Sequence, residues 1–350
     1  MKKNRREFLA TGASGALALS HRAATVVPSG RIDCQSHLFV PELLAYMEKR
    51  KTSPYVYRKD GERYVVVGEW HRRILPNYTD VQAKLAAMDT AGIGMTALSI
   101  NDPGPELFGA DSLSIARMLN DYIASIARNY PQRFFGVAVL PMLDREAMLD
   151  EFERATSKLG MKGILLYSNL DGQFPDEPQF RPLFAIAEQR SVPVLLHPAC
   201  PVTMPVMKDY FMSSMLGLMF DTTIALTRLI LAGVLEQHPR LKLVCPHVGG
   251  TLPYLIGRLD HQTQVLKRGA EHIRRPPSEY LKQVYFDTVS PLPLAIRYGL
   301  DFNGVDKMLY ASDHPWVDPV LIGSLVARLH LAAADKRKVF SDNARMLFGL

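Results

Sequence analysis

Val192-Pro193-Val194-Leu195-Leu196-His197 is the stretch on which the reading of the fold turns. It is a short apolar run that stops abruptly at a polar, metal-competent side chain. Runs without polar alternation mark strands buried on both faces, as in parallel sheets. Residues 161–168, centred on Ile164-Leu165-Leu166-Tyr167, read the same way. Outward from this pair, further strand candidates lie at 31–39, 95–102 and 134–141, and at 241–247, 284–288 and 307–312. Helical patterns separate them, at 81–90, 112–129, 145–159, 180–189, 221–237, 252–266, 291–298 and 319–331, with 336–347 closing the chain. Eight strands each followed by a helix predict an α/β protein, a (β/α)8 TIM barrel. A doubly wound open sheet is the competing architecture, but no Gly-rich phosphate loop follows the first strand.

Two connections are long. Residues 40–80 carry Tyr55, Tyr57, Arg58, Tyr64, Trp70, His71, Arg72 and Arg73, and the run Tyr64-Val65-Val66-Val67-Gly68 predicts a small hairpin capping the barrel after strand one. Residues 198–220, rich in Met and Pro, predict a lid or a face for a second subunit. The apolar run 211–220 is too short to span a bilayer. The sequence shows no internal repeat and no inter-domain linker, so residues 31–350 are expected to form one unit.

Composition excludes disorder and collagen-like repeats, at 47% hydrophobic and 22% charged residues. The net charge of +6 would suit an acidic partner, but Lys2, Lys3, Arg5, Arg6 and Arg22 against Glu7 place +4 of it in residues 1–24. The remaining +2 predicts no nucleic-acid partner. Asn4-Arg5-Arg6-Glu7-Phe8-Leu9, followed by a mildly apolar Ala/Gly-rich stretch, resembles a bacterial twin-arginine export signal. Residues 1–24 are therefore expected to be a signal peptide, the mature protein periplasmic, with no stable membrane insertion after export. Cys34, Cys200 and Cys245 each lie beside an apolar run and read as buried thiols.

Metal-competent residues recur where strands stop: Asp33-Cys34-Gln35-Ser36-His37 at the first, His197 at the fifth, His247 at the sixth, Asp313-His314 at the eighth. In a barrel these C-terminal strand ends converge on one mouth. Two imidazoles and a carboxylate from three strands suit Zn²⁺ or a similar divalent ion with a position left open.

Together with Leu196-His197-Pro198, Pro246-His247-x-Gly249-Gly250 and Ala311-Ser312-Asp313-His314-Pro315-Trp316, the first-strand pattern resembles the amidohydrolase-2 branch of the amidohydrolase superfamily. That branch includes aminocarboxymuconate-semialdehyde, resorcylate and carboxyvanillate decarboxylases, and the resemblance spans residues 32–347. It implies that His37, His197 and Asp313 are metal ligands and His247 a catalytic histidine, with Asp313 also acting on the substrate's proton. One position departs: where the branch has His or Glu, this chain has Gln35, which either binds the metal through its amide oxygen or hydrogen-bonds a metal-bound water. The implied cofactor is a divalent ion, Zn²⁺ first and Mn²⁺ as the alternative. The implied reaction is non-oxidative decarboxylation of a small aromatic or unsaturated carboxylic acid, against hydrolysis of a small ester, lactone or amide. A binding protein with a decayed site is the non-enzymatic alternative. Asn169, Arg58, His71, Arg72 and Trp316 are substrate-contact candidates, Asn169 equally a turn residue and Trp316 equally core. The expected assembly is a homodimer.

Overall fold

The computed structural model describes residues 30–350. The expected leader, residues 1–24, lies outside them. Eight parallel strands form the barrel: β1 (Arg31–Leu38), β5 (Ile93–Ile100), β6 (Phe134–Ala138), β7 (Gly163–Tyr167), β8 (Val194–His197), β9 (Leu243–Cys245), β10 (Tyr285–Asp287) and β11 (Met308–Leu309), hydrogen-bonded in that order. Backbone bonds close the seam between the last and the first: Cys34 N donates to Tyr310 O (2.9 Å), Asp313 N to Gln35 O (2.9 Å) and His37 N to His314 O (2.8 Å). The chain folds as a (β/α)8 barrel, as the eight apolar runs predict.

Every barrel strand overlaps its predicted run, but most are shorter. His37 and His197 stay paired within β1 and β8, whereas the residues after Leu309 leave the sheet, so β11 keeps only two paired residues. Buried on both faces, the strands feed one continuous core that includes Ile32, Leu98, Leu165, Leu196, Leu243, Phe286 and Leu309. Helix starts are fixed locally: Asp80 accepts from the backbone of Gln82 (2.8 Å) and Ala83 (3.3 Å), capping the helix Val81–Ala91.

The cap is larger than a hairpin. It is a three-stranded antiparallel sheet of β2 (Tyr55–Lys59), β3 (Glu62–Val67) and β4 (Trp70–Ile74). Asp60 and Gly61 turn β2 into β3 with φ of 51° and 79°, the left-handed pair that a two-residue hairpin requires. The pleat of β4 decides which of its side chains matter. Trp70, Arg72 and Ile74 point inward, while His71 and Arg73 point to solvent.

The second long connection also departs from expectation. Residues Asp209–Leu231 form an apolar helical run of 23 residues, with a window of mean hydropathy 1.4, kinked at its start where Tyr210 and Phe211 take φ of 58° and 57°. By length and composition it could cross a bilayer, yet 44% of that window packs inside the protein. Asp221, fully buried, anchors it: its carboxylate accepts from the Ser168 hydroxyl, from Asn169 Nδ2 (2.8 Å) and from Val202 N (3.0 Å). Tyr210 and Phe211 at its start stay 84% and 78% exposed.

Candidate active site

The mouth assembles side chains from β1, β8 and the segments after β9 and β11. His37 Nε2 lies 3.1 Å from His197 Nε2 and 3.2 Å from Asp313 Oδ1. The ligand atoms of these three residues all fall within 4.8 Å of one another. Each imidazole is oriented from behind. His37 Nδ1 meets Ile100 O (3.2 Å) and Ser99 Oγ (2.8 Å), and His197 Nδ1 meets Pro198 O (2.8 Å). A carbonyl can only accept, so both rings carry their proton on Nδ1 and turn an Nε2 lone pair toward the other. Two lone pairs and a carboxylate converging in a buried place repel one another unless a cation lies between them. Neighbouring ligands held at about 2.1 Å from one ion stand about 3.0–3.4 Å apart, which the His37–His197 and His37–Asp313 separations match, while His197 and Asp313 stand farther apart, within 4.8 Å. The donor set therefore fits a divalent metal.

Electrostatics follow from the same geometry. Burial pushes His197 well below the ordinary imidazole range, and neighbouring His37 adds to it. Burial would raise Asp313, but with no cation between the donors, hydrogen bonding and charge from protonated His247 and His37 hold it far below the usual carboxylate range. His247 Nε2 stands 3.7 Å from Asp313 Oδ2. Burial opposes its charge, yet the Asp313 carboxylate outweighs that and raises it. His247 and Asp313 adopt φ of 56° and 59°, a left-handed conformation that costs a non-glycine residue about 1–3 kcal/mol. Tertiary contacts hold both in place: His247 N donates to Asp287 Oδ1 (2.7 Å), and Asp313 N to Gln35 O.

Gln35 reaches the site through its amide nitrogen, which donates to Asp313 Oδ1 at 3.2 Å. It orients the carboxylate, an arrangement that leaves the three-residue donor set as it is.

Above this floor opens a cavity of about 720 Å³. Its walls are largely aromatic and apolar, from Trp70, Trp316, Tyr254, Tyr298, Met215, Leu218, Met219 and Val289, with His197, His247 and Asp313 at the reactive end. Trp316 lines it and is fixed edge-on by Phe39 (6.1 Å) and Tyr78 (5.3 Å). Arg72 lines it too, but its guanidinium is committed. It holds Asp102 through two 2.6 Å bonds, reaches Asn101 Oδ1 at 3.1 Å and lies 4.1 Å over the Trp70 ring. Arg72, a substrate-contact candidate from the sequence, thus lines the cavity with its guanidinium already paired to Asp102.

Three other candidates stand outside the cavity. Arg58 pairs with Glu48 at 2.8 Å on the exposed side of the cap. His71 points away on the outer pleat of β4, against Tyr57. Asn169 is consumed by structure: Nδ2 donates to Asp221 and to Cys200 O (2.9 Å), while Oδ1 accepts from Gly172 N (3.1 Å), the turn alternative. His314 faces the barrel seam, with Nδ1 2.9 Å from Lys84 Nζ. The three cysteines are free thiols, Cys34 and Cys245 buried and Cys200 partly so.

Sequence reading missed Asp287, Ser99, Asp102 and Lys84. Asp287 and Asp102 carried the same signal as the others, an acid ending an apolar run. Lys84 carried none, being one lysine on an amphipathic helix.

Glu106, in the segment after β5, supplies a stability prediction. It is 3% exposed and its Oε2 has no partner. Burial first, and then repulsion by Asp102, raise its pKa from 4.5 to about 8. The folded state thus binds the proton more tightly than the unfolded chain, so this group's stabilising effect is complete below pH 4.5 and declines as pH rises to 8. Wild type is expected to lose on the order of 1 kcal/mol per pH unit from this group within that window. Glu106→Gln should flatten the decline, read as urea unfolding at pH 5.5 and 8.5. Equal pH dependence in both proteins would refute it.

The profile of the amidohydrolase family matches residues 32–350, and the chain belongs to that family. It is 28% identical over 338 residues to gamma-resorcylate decarboxylase of Rhizobium sp. (strain MTP-10005), covering 92% of this chain and 98% of the relative. It is 27% identical over 297 residues to 2-amino-3-carboxymuconate-6-semialdehyde decarboxylase of Dictyostelium discoideum, covering 82% of each. Among solved structures, 5-carboxyvanillate decarboxylase of Novosphingobium aromaticivorans, complexed with manganese and 4-hydroxy-3-methoxy-5-nitrobenzoic acid, matches with a TM-score of 0.79 and 25% identity, over 91% of this chain and 96% of that one.

Proposed function

We propose that the protein is a metal-dependent, non-oxidative decarboxylase of a small aromatic carboxylic acid. One observation carries the reading: two Nε2 lone pairs and the Asp313 carboxylate converge at the reactive end of an aromatic-walled cavity. The decarboxylases among its relatives support the same reaction over hydrolysis. His37, His197 and Asp313 would hold a divalent ion, Zn²⁺ or Mn²⁺, which supplies Lewis-acid and template chemistry to the substrate carboxylate and a neighbouring oxygen. Trp70, Trp316, Tyr254 and Tyr298 give the ring aromatic walls to pack against. Asp313 takes the proton of the substrate hydroxyl next to the carboxylate and delivers it to the ring carbon that bears the carboxylate, and His247, 3.7 Å away, stabilises the negative charge on the oxygen that gave it up. The bond to the carboxylate then breaks, its electron pair restores the ring's conjugation, and CO₂ leaves.

The same proposal places the enzyme in the periplasm, exported through residues 1–24 on the strength of the Arg5-Arg6 pair. It also places a second copy over the exposed Tyr210, Phe211 and Met215 beside the mouth. The deciding experiment is metal analysis of the purified protein, followed by CO₂ assays on a panel of hydroxybenzoates and muconate-like acids. One divalent ion per chain and CO₂ release are expected. Absence of a stoichiometric ion, or acid release from lactones without CO₂, would overturn the reading.

A further inference from the structure

Lys84 is 2% exposed, and its charge is carried from the helix Val81–Ala91 into the seam of the barrel. Its ammonium donates to Ser36 Oγ at 2.7 Å, meets His314 Nδ1 at 2.9 Å and reaches His314 O at 3.4 Å. Ser36 lies beside His37 on β1, and His314 follows Asp313. One side chain therefore bridges β1 and the segment after β11, which carry two of the three convergent donors, at the seam where the barrel closes. β11 pairs with β10 over only two residues, and Ser36 and His314 form an isolated bridge beyond it. Asp313 adds a local difficulty, since its φ of 59° is disfavoured for any residue but glycine. A second tie lies on the same seam. Asp33 accepts from Ser312 Oγ (2.5 Å) and Ser312 N (2.9 Å), so the tripeptide Ser312-Asp313-His314 is gripped on both sides of the carboxylate.

A buried ammonium is expensive to desolvate, and hydrophobic residues of similar volume often replace such groups without loss of stability. A seam that needed only cohesion could have used an apolar side chain. Lys84 instead spends all three donors on groups adjoining His37 and Asp313. We propose that Lys84 is a positioning residue that fixes the Asp313 carboxylate against His37 and His197, and so sets the affinity of the metal site.

The inference rests on the metal reading given above, and the test separates the two. Wild type and Lys84→Met are freed of metal and titrated with Mn²⁺, free ion being read by electron paramagnetic resonance, with thermal unfolding and CO₂ release measured alongside. Groups behind metal ligands are worth 10- to 100-fold in affinity. Lys84→Met is therefore expected to bind Mn²⁺ about 10- to 100-fold more weakly, with kcat lowered and KM changed less than about threefold. A merely cohesive role would lower the unfolding temperature and leave the affinity of the folded protein unchanged. Wild-type affinity in Lys84→Met overturns this inference alone. Failure of wild type to bind Mn²⁺ and also Zn²⁺ titrated in its place overturns the metal reading and this inference with it. If Lys84→Met does not fold, Ser36→Ala carries the test, because it removes the shortest of the lysine's bonds. Weakening of about threefold or more is then expected, and unchanged affinity refutes the proposal.

Discussion

Asp313→Asn is expected to lower kcat by about 10³-fold, within the range that positioned proton transfer contributes. The substitution keeps the size of the side chain and the backbone bond from Asp313 N to Gln35 O, so the fold should survive it. What it removes is charge. Oδ1 now takes a hydrogen bond from Gln35 and faces the His37 lone pair, while Oδ2 stands opposite His247. An amide placed there is neutral, presents an N–H₂ to one of these neighbours, and cannot carry a proton to substrate. The negative charge that raises His247 disappears with it. Measured kcat, bound metal and unfolding temperature should show a folded protein with weakened metal retention and nearly no turnover. Activity within tenfold of wild type would remove Asp313 from the reaction.

The second large effect concerns stability. Replacing Arg72 by Met leaves Asp102 as a buried, uncompensated carboxylate, a change that costs about 3–5 kcal/mol when one member of such a pair is deleted. Both side chains are almost fully buried and meet through two parallel 2.6 Å bonds. Asp102→Asn in the same chain removes the stranded charge, so the double variant should recover more than half of the loss. Denaturant midpoints of the single and double variants make the measurement. A single variant as stable as wild type would show that the pair does not brace the cap against the barrel.

These two residues also show where sequence reading stops. Asp313 was legible because Leu309-Tyr310-Ala311-Ser312 is an apolar run ending in an acid, and a barrel sends every such ending to one mouth. His37, His197 and His247 were legible for the same reason. Arg72 was visible as a cation in an aromatic insertion, but its partner Asp102 lies 30 positions away and its role depends on which claims the guanidinium first. The pleat of β4 separates Arg72 from His71 by direction, yet only the packed cap tells which face is inward. Asn169 sits beside a strand end as the site residues do, and only its bonds to Asp221, Cys200 and Gly172 show it spent on a turn.

The sequence by itself determined the number of barrel strands, their parallel burial and the end of the barrel where polar, metal-competent side chains gather, all from local periodicity and from where an apolar run stops. The resemblance to the amidohydrolase-2 branch then picked His37, His197, His247 and Asp313 from among those side chains. Tertiary structure alone decided the rest. It made Gln35 a donor to Asp313, made the cap a three-stranded sheet, and turned a loop into an apolar helix pinned by Asp221. It also brought Lys84 from a helix to the seam. Each of these is a pairing between residues far apart in the chain, settled by which buried donor finds which acceptor. Composition and periodicity carry no record of such pairings.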